Sequence, residues 1–241
     1  MTEGLLVLAA IVFAIFLLDW LAVAFAWRRV EFVLKPLAMV LVIVWTLIAA
    51  EWRLDALLGV LVLAQLCGLA GDVFLMLHAR WFLAGLGSFL VGHLLYIGLL
   101  GWKLTHVFNR QGYTSWGTGW LLLAMAFWAM MLVLFYRIIA PKSPRLSMPL
   151  FLWIPIQVYG WVLSVLVVLS VLVVIAAEVL TAPILALLAG SLFFFVSDSL
   201  LAYDRFKRKL PKIRVWIMFT YHLAQFSLAL GFLTVMGHIG G

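Results

Sequence analysis

Apolar residues run along this chain in blocks of about twenty, separated by brief polar interruptions. A helix that crosses a bilayer needs about 20 predominantly apolar residues. Eight windows meet that need: about 4–27, 34–50, 54–77, 81–102, 116–139, 150–175, 179–203 and 214–238. The pattern predicts an all-α polytopic membrane protein, a bundle of eight transmembrane helices forming one domain over residues 1–241. The loops left over are short, with no room for a soluble domain. The opening Met1-Thr2-Glu3-Gly4 lacks the basic region of a signal peptide, so the first span is expected to be retained.

Composition agrees. The chain is 68% hydrophobic and 10% charged, where soluble proteins average about a quarter charged; its mean hydropathy is +1.24. Charge then sets the orientation, because Lys and Arg accumulate on the cytoplasmic side. Thirteen of the sixteen basic residues follow spans one, three, five and seven: Arg28, Arg29 and Lys35; Arg80; Arg137, Lys142 and Arg145; and Arg205, Lys207, Arg208, Lys209, Lys212 and Arg214. Only Arg53, Lys103 and Arg110 lie on the other side. Both termini are therefore expected on the non-cytoplasmic face. The net charge of +7 needs no nucleic acid partner; it reflects this asymmetry and attraction to anionic lipid headgroups. The one cysteine, Cys67, cannot form an internal disulfide and is expected to serve packing. Short loops and the lack of a targeting segment point to a bacterial inner membrane, although an endoplasmic reticulum location would look much the same.

Against this background a few polar residues stand out. A charge at a helix centre costs about 2.5–3.5 kcal/mol on insertion scales, so each is a candidate functional group. They are Asp19 in span one, Asp72 in three, His93 in four, Asp198 in seven and His222 in eight, with Lys35 at the mouth of span two. Asp72 and Asp198 lie about five or six residues from the cytoplasmic ends of their spans, roughly 8–9 Å deep. Asp19 and His222 lie somewhat deeper, and His93 is near the midplane. The outer half has almost nothing comparable. These depths predict one cavity open to the cytoplasmic leaflet.

Helical spacing adds shape. Gly68 and Gly71 leave room beside Asp72; Gly85, Phe89, His93 and Tyr96 share a face, as do Tyr221 and Gln225. Pro155 stands one turn before Tyr159 and frees a backbone carbonyl. Packing is the simpler account of the glycines and interhelical hydrogen bonding that of His93. Asp19 could pair with a basic group. His78, His106 and His238, at ends or in loops, are expected to be solvated. Asp72→His93 and Asp198→His222 form a faint echo four spans apart, as a parallel duplication would produce.

The stretches "KPL" at 35–37, "GDVFL" at 71–75, "FLAGLGSFLVGHLLY" at 82–96, "SLFFFVSDSLLAYDRF" at 191–206 and "YHLAQ" at 221–225 together resemble the YhhN-type lysoplasmalogenase family. The resemblance covers residues 35–225. It implies hydrolysis of the vinyl ether of lysoplasmalogens to a fatty aldehyde and glycerophospho-ethanolamine or -choline. It places Asp72 and Asp198 on the family's acidic positions, and Lys35, His93, Tyr221 and Gln225 on its polar ones. His222 stands where a second aromatic is expected.

That chemistry suits the residues. A vinyl ether has no carbonyl to attack; it is cleaved by protonating its β-carbon and adding water to the oxocarbenium ion. The step needs a carboxylic acid and a carboxylate, the division of labour of a glycosidase pair. Burial and a nearby like charge both favour the neutral acid. Asp72 and Asp198 are thus expected to act together, sharing a proton. Lys35 would pair with the phosphate, His93 and Tyr221 would position water or the glycerol hydroxyl, and Tyr96, Tyr159 and Gln225 would contact the substrate. Asp19, His222 and Ser197 are possible supports. No metal or organic cofactor is required.

Two alternatives remain at this level. Asp72, Asp198, His93 and His222 could ligate zinc, although no H-E-x-x-H spacing occurs. The same acids could form the proton relay of a transporter. A serine hydrolase lacks its G-x-S-x-G elbow here.

Overall fold

The computed structural model describes residues 3–111, 118–139, 150–177 and 179–239. Lys142 and Arg145 of the orientation argument lie outside these residues. The described chain is helical, with α1 Glu3–Ala24, α2 Arg28–Ala49, α3 Ala56–Met76, α4 Phe82–Gln111, α5 Thr118–Ile139, α6 Leu150–Ala176, α7 Ala182–Phe206 and α8 Ile213–Val235, plus one 3-10 turn at Ala79–Trp81. Seven of the helices are long and apolar enough to cross a membrane; α5 contributes a shorter apolar stretch, Leu122–Ile138.

Helix ends differ from the apolar windows for physical reasons. Helix α2 begins six residues before its window, because "RRVEFV" continues the helix where the hydropathy fades. Helix α4 runs on through "LTHVFNRQ" to Gln111 for the same reason; its 30 residues span about 45 Å. Turns are sharp. Ala26 adopts φ 56°, and Trp27 N–H reaches back to the Ala22 carbonyl at 2.8 Å. Asp55 caps α3 by accepting from the Leu58 N–H at 2.7 Å. At the same end of the bundle His238 Nε2 lies 3.2 Å from Asp55 Oδ2, with its side chain only 7% exposed. His238 is therefore docked against the α3 cap rather than solvated. His78 and His106 are exposed, as expected.

Glycines let two helix pairs close tightly. A Cβ on Gly190 would lie 2.8 Å from the Leu228 backbone nitrogen, and one on Gly231 would meet the Leu187 backbone. This contact zips α7 to α8. Across α3 and α4, Gly85 sits against the Gly71 carbonyl and Gly92 against the Ala64 carbonyl, beside Cys67. The room beside Asp72 is filled: Gly71 accommodates the Phe89 ring and Gly68 the Gln225 amide. Helix α4 packs on α6 and α6 on α7, yet among the described residues α4 and α7 scarcely approach each other's backbones. That seam, filled by side chains rather than backbone contact, adjoins the site.

Candidate functional site

The basic ends of α2, α3, α4, α7 and α8 surround a cavity of about 490 Å³. Lys35 from α2, Asp72 from α3, Ser197 and Asp198 from α7 and Tyr221 from α8 all line it, so the predicted convergence of both acids holds. Asp72 is 1% exposed and Asp198 8%.

The two carboxylates are held differently. Asp72 Oδ1 receives the Lys35 ammonium at 3.0 Å, and its Oδ2 accepts from the Tyr221 hydroxyl at 2.6 Å. Tyr221 in turn accepts from Gln225 Nε2 at 3.2 Å, and Gln225 Oε1 accepts from the Tyr96 hydroxyl at 3.2 Å. Tyr96, Gln225 and Tyr221 thus form a row of donors pointing toward Asp72. Asp198 Oδ2 accepts a short hydrogen bond from Tyr159, while its Oδ1 has no hydrogen-bond partner among the described residues and Asp198 faces the cavity. No hydrogen bond joins Asp72 to Asp198 among the described residues. The expected shared proton is replaced by a separate tyrosine on each acid.

Several expected roles change accordingly. Lys35 is not a free phosphate anchor at the entrance; it is 5% exposed and engaged with Asp72. Tyr96 and Gln225 do not line the cavity but act behind it. His93 is buried against Phe194 and Tyr159, with ring centroids 4.4 and 5.5 Å away, and among the described residues neither ring nitrogen has a side-chain hydrogen-bond partner. It braces Tyr159 rather than facing the cavity. Ser197 donates to the Ile217 carbonyl at 3.2 Å, which fastens α7 to α8 beside Asp198.

Asp19 and His222 form a separate buried group between α1 and α8. His222 Nδ1 accepts from Trp20 Nε1 at 3.0 Å and its ring stacks on Phe16 at 4.4 Å. Its Nε2 stands 3.9 Å from Asp19 Oδ2, and both residues are fully buried. Neither lines the cavity. The zinc set raised above does not form: among the described residues no three His, Cys, Asp or Glu side chains converge as metal ligands.

The mouth was missed by reasoning on depth alone. Glu31 pairs with Arg214 and Asp204 with Lys209 at 2.6 Å, and all four line the cavity with Arg28 and Arg205. A signal was present, since Glu31 lies one helical turn before Lys35 and Asp204 opens the basic run after Asp198. The run "DRFKRKLPKIR" is thus part of the site as well as a topology signal.

A second, narrow space adjoins the cavity between α4 and α7. Leu75, Phe82, Phe89, Asp198 and Leu201 line both. Beyond them the walls are apolar except for Tyr159. The sequence profile of the YhhN family matches residues 30–232. The chain belongs to the YhhN family. The matched region takes in Lys35, Asp72, Tyr159, Asp198, Tyr221 and both spaces' walls apart from Arg28, and it leaves out α1 with Asp19. No curated protein and no solved structure matches this YhhN chain.

Proposed function

We propose that this YhhN-family protein is a lysoplasmalogenase, an intramembrane hydrolase that cleaves the vinyl ether of a single-chain alkenyl glycerophospholipid. The observation that carries the reading is the position of Asp198, on the boundary between a charged cavity and an apolar crevice. The vinyl ether of a lysoplasmalogen is likewise the junction between its polar headgroup and its hydrocarbon chain. Family membership supports the same reading.

The asymmetry of the two acids divides their roles. Asp198, whose Oδ1 no cation engages among the described residues, is the proton donor, with Tyr159 fixing its other oxygen. It protonates the β-carbon of the vinyl ether and leaves an oxocarbenium ion. Asp72, fixed by Lys35 and Tyr221, steadies that cation. Water adds to the carbon bearing oxygen, and its proton returns to Asp198. The resulting hemiacetal collapses as its hydroxyl proton moves to the departing glycerol oxygen, releasing aldehyde and glycerophosphodiester. Tyr221, Gln225 and Tyr96 are positioning residues for Asp72, and Arg28 and Arg205 face the headgroup phosphate.

In this reading all eight helices span the membrane as one domain, with both termini on the non-cytoplasmic side. The cavity then opens to the cytoplasmic leaflet, in a bacterial inner membrane. The test is aldehyde release from a lysoplasmalogen by the detergent-purified protein, with chelator present. General acid catalysis contributes about 10²–10⁴-fold, so Asp198→Asn is expected to lose at least about 100-fold in kcat while remaining folded. Near-wild-type turnover by that variant overturns the assignment.

A further inference from the structure

The crevice beside Asp198 is lined on one side by Phe82, Leu86 and Phe89 of α4, and on the other by Leu201, Ala202 and Phe206 of α7. Leu75 of α3, Ile156 and Tyr159 of α6 and Phe135 of α5 complete it. Phe82, Leu86, Ala202 and Phe206 are partly exposed, whereas Phe89, Phe135, Ile156 and Tyr159 are buried. The crevice therefore has an outer lip and a closed inner end. Its volume is about 20 Å³, room for little more than one water molecule. As seen, it is far too narrow for a hydrocarbon chain.

What shuts it is side chains, not backbone. The rings of Phe82 and Phe206 meet edge-on at 5.6 Å, and the Arg205 guanidinium covers Phe82 at 4.9 Å. The backbones behind these rings scarcely approach each other, and the deeper contacts of Phe89 and His93 with Phe194 lie away from the lip, so rotamer changes at two aromatic residues would open the outer seam. The other way in is poorly suited to a hydrocarbon chain, because the mouth is ringed by Glu31–Arg214 and Asp204–Lys209 ion pairs.

We infer that the α4–α7 crevice is a lateral gate and binding site for one hydrocarbon chain of an amphiphile whose polar part fills the cavity. The inference deepens the functional reading above and rests on it for the identity of the headgroup. Its occupant follows from continuity: five residues belong to both spaces, so a molecule lying across them must be polar on one side of Asp198 and apolar on the other. One slot between two helices admits one chain. A two-chain lipid would have to leave its second chain among the charges of the cavity, which selects single-chain lipids by shape.

The experiment reads binding apart from turnover. A lysophosphatidylethanolamine with a photoactivatable diazirine in its ester-linked chain is irradiated with the protein in nanodiscs, and labelled peptides are mapped. Labels are expected on the crevice walls, at α4 around Leu86 and α7 around Ala202. Ala202→Trp, which plugs the slot, should reduce that labelling at least tenfold. Leu86→Trp, from the opposite wall, should do the same, so that one variant's misfolding does not decide the matter. A two-chain phosphatidylethanolamine carrying the same group should label these walls at least tenfold less. Labels confined to the outer faces of the bundle, or unchanged by both plugs, overturn the gate. Aldehyde release is measured separately: labelling without aldehyde keeps the gate and removes the proposed reaction.

Discussion

Lys35 and Asp72 are the most constrained residues of the site. Each is almost fully buried, and they meet at 3.0 Å. Removing one partner of a buried ion pair strands the other's charge and typically costs about 3–5 kcal/mol. Lys35→Met is therefore expected to lower thermal stability more than Lys35→Met/Asp72→Asn together, as read by unfolding in detergent. Equal stability of the two variants would refute the buried pair. Tyr221→Phe removes a hydrogen bond to a charged group, worth about 1.5–3 kcal/mol. Aldehyde release should fall roughly 10- to 150-fold on that scale, while Tyr96→Phe, two bonds further back, should fall less. A larger loss in Tyr96→Phe than in Tyr221→Phe would contradict the row of donors. At this scale the acids were legible in the sequence, because a carboxylate inside an apolar block has few explanations. Their partners were not. Lys35 and Asp72 are on different helices, and nothing along the chain announces that Tyr159 serves Asp198 while Tyr221 serves Asp72.

The helices themselves were legible from blocks of apolar residues, and their ends were not, since polar turns such as "RRVE" continue a helix beyond the point where hydropathy marks it. Gly68, Gly71 and Gly85 were rightly read as contacts, but which contacts, and which further glycines make them, depended on the fold. Gly231→Ala would drive a methyl to 2.7 Å from the Leu187 Cα, and Gly160→Ala would drive one into the Phe135 ring. Overpacking of this sort costs about 1–3 kcal/mol, so both should unfold at lower temperature than the unmodified protein. Gly98→Ala meets nothing within 4 Å and should be neutral or slightly stabilising, given the helix preference of alanine. If Gly98→Ala destabilises as much as Gly231→Ala, these helix contacts are misplaced. Gly160 also seats Phe135 at the inner end of the crevice, linking a packing glycine to the site.

Across the whole molecule, charge and depth run together. The basic end carries the cavity, and the opposite half is closed by Trp45, Tyr96, Leu100 and Phe232, all nearly inaccessible. Gln65, which donates to Thr46 at 2.8 Å, is a buried polar contact of that half that depth reasoning passed over. In a Cys67→Ala background, Arg53→Cys should react with an impermeant maleimide from outside intact spheroplasts, and Arg208→Cys only after permeabilisation. The reverse pattern would invert the topology.

A chamber with a charged mouth, an apolar seam and a sealed far end is a blind well with two doors. In the proposed reaction it would send the two products into different phases. The glycerophosphodiester would leave through the charged mouth into water, and the aldehyde would slide through the seam into the leaflet. Each is then diluted in a medium the other does not share, which draws the reaction forward and makes reversal depend on two reservoirs refilling at once.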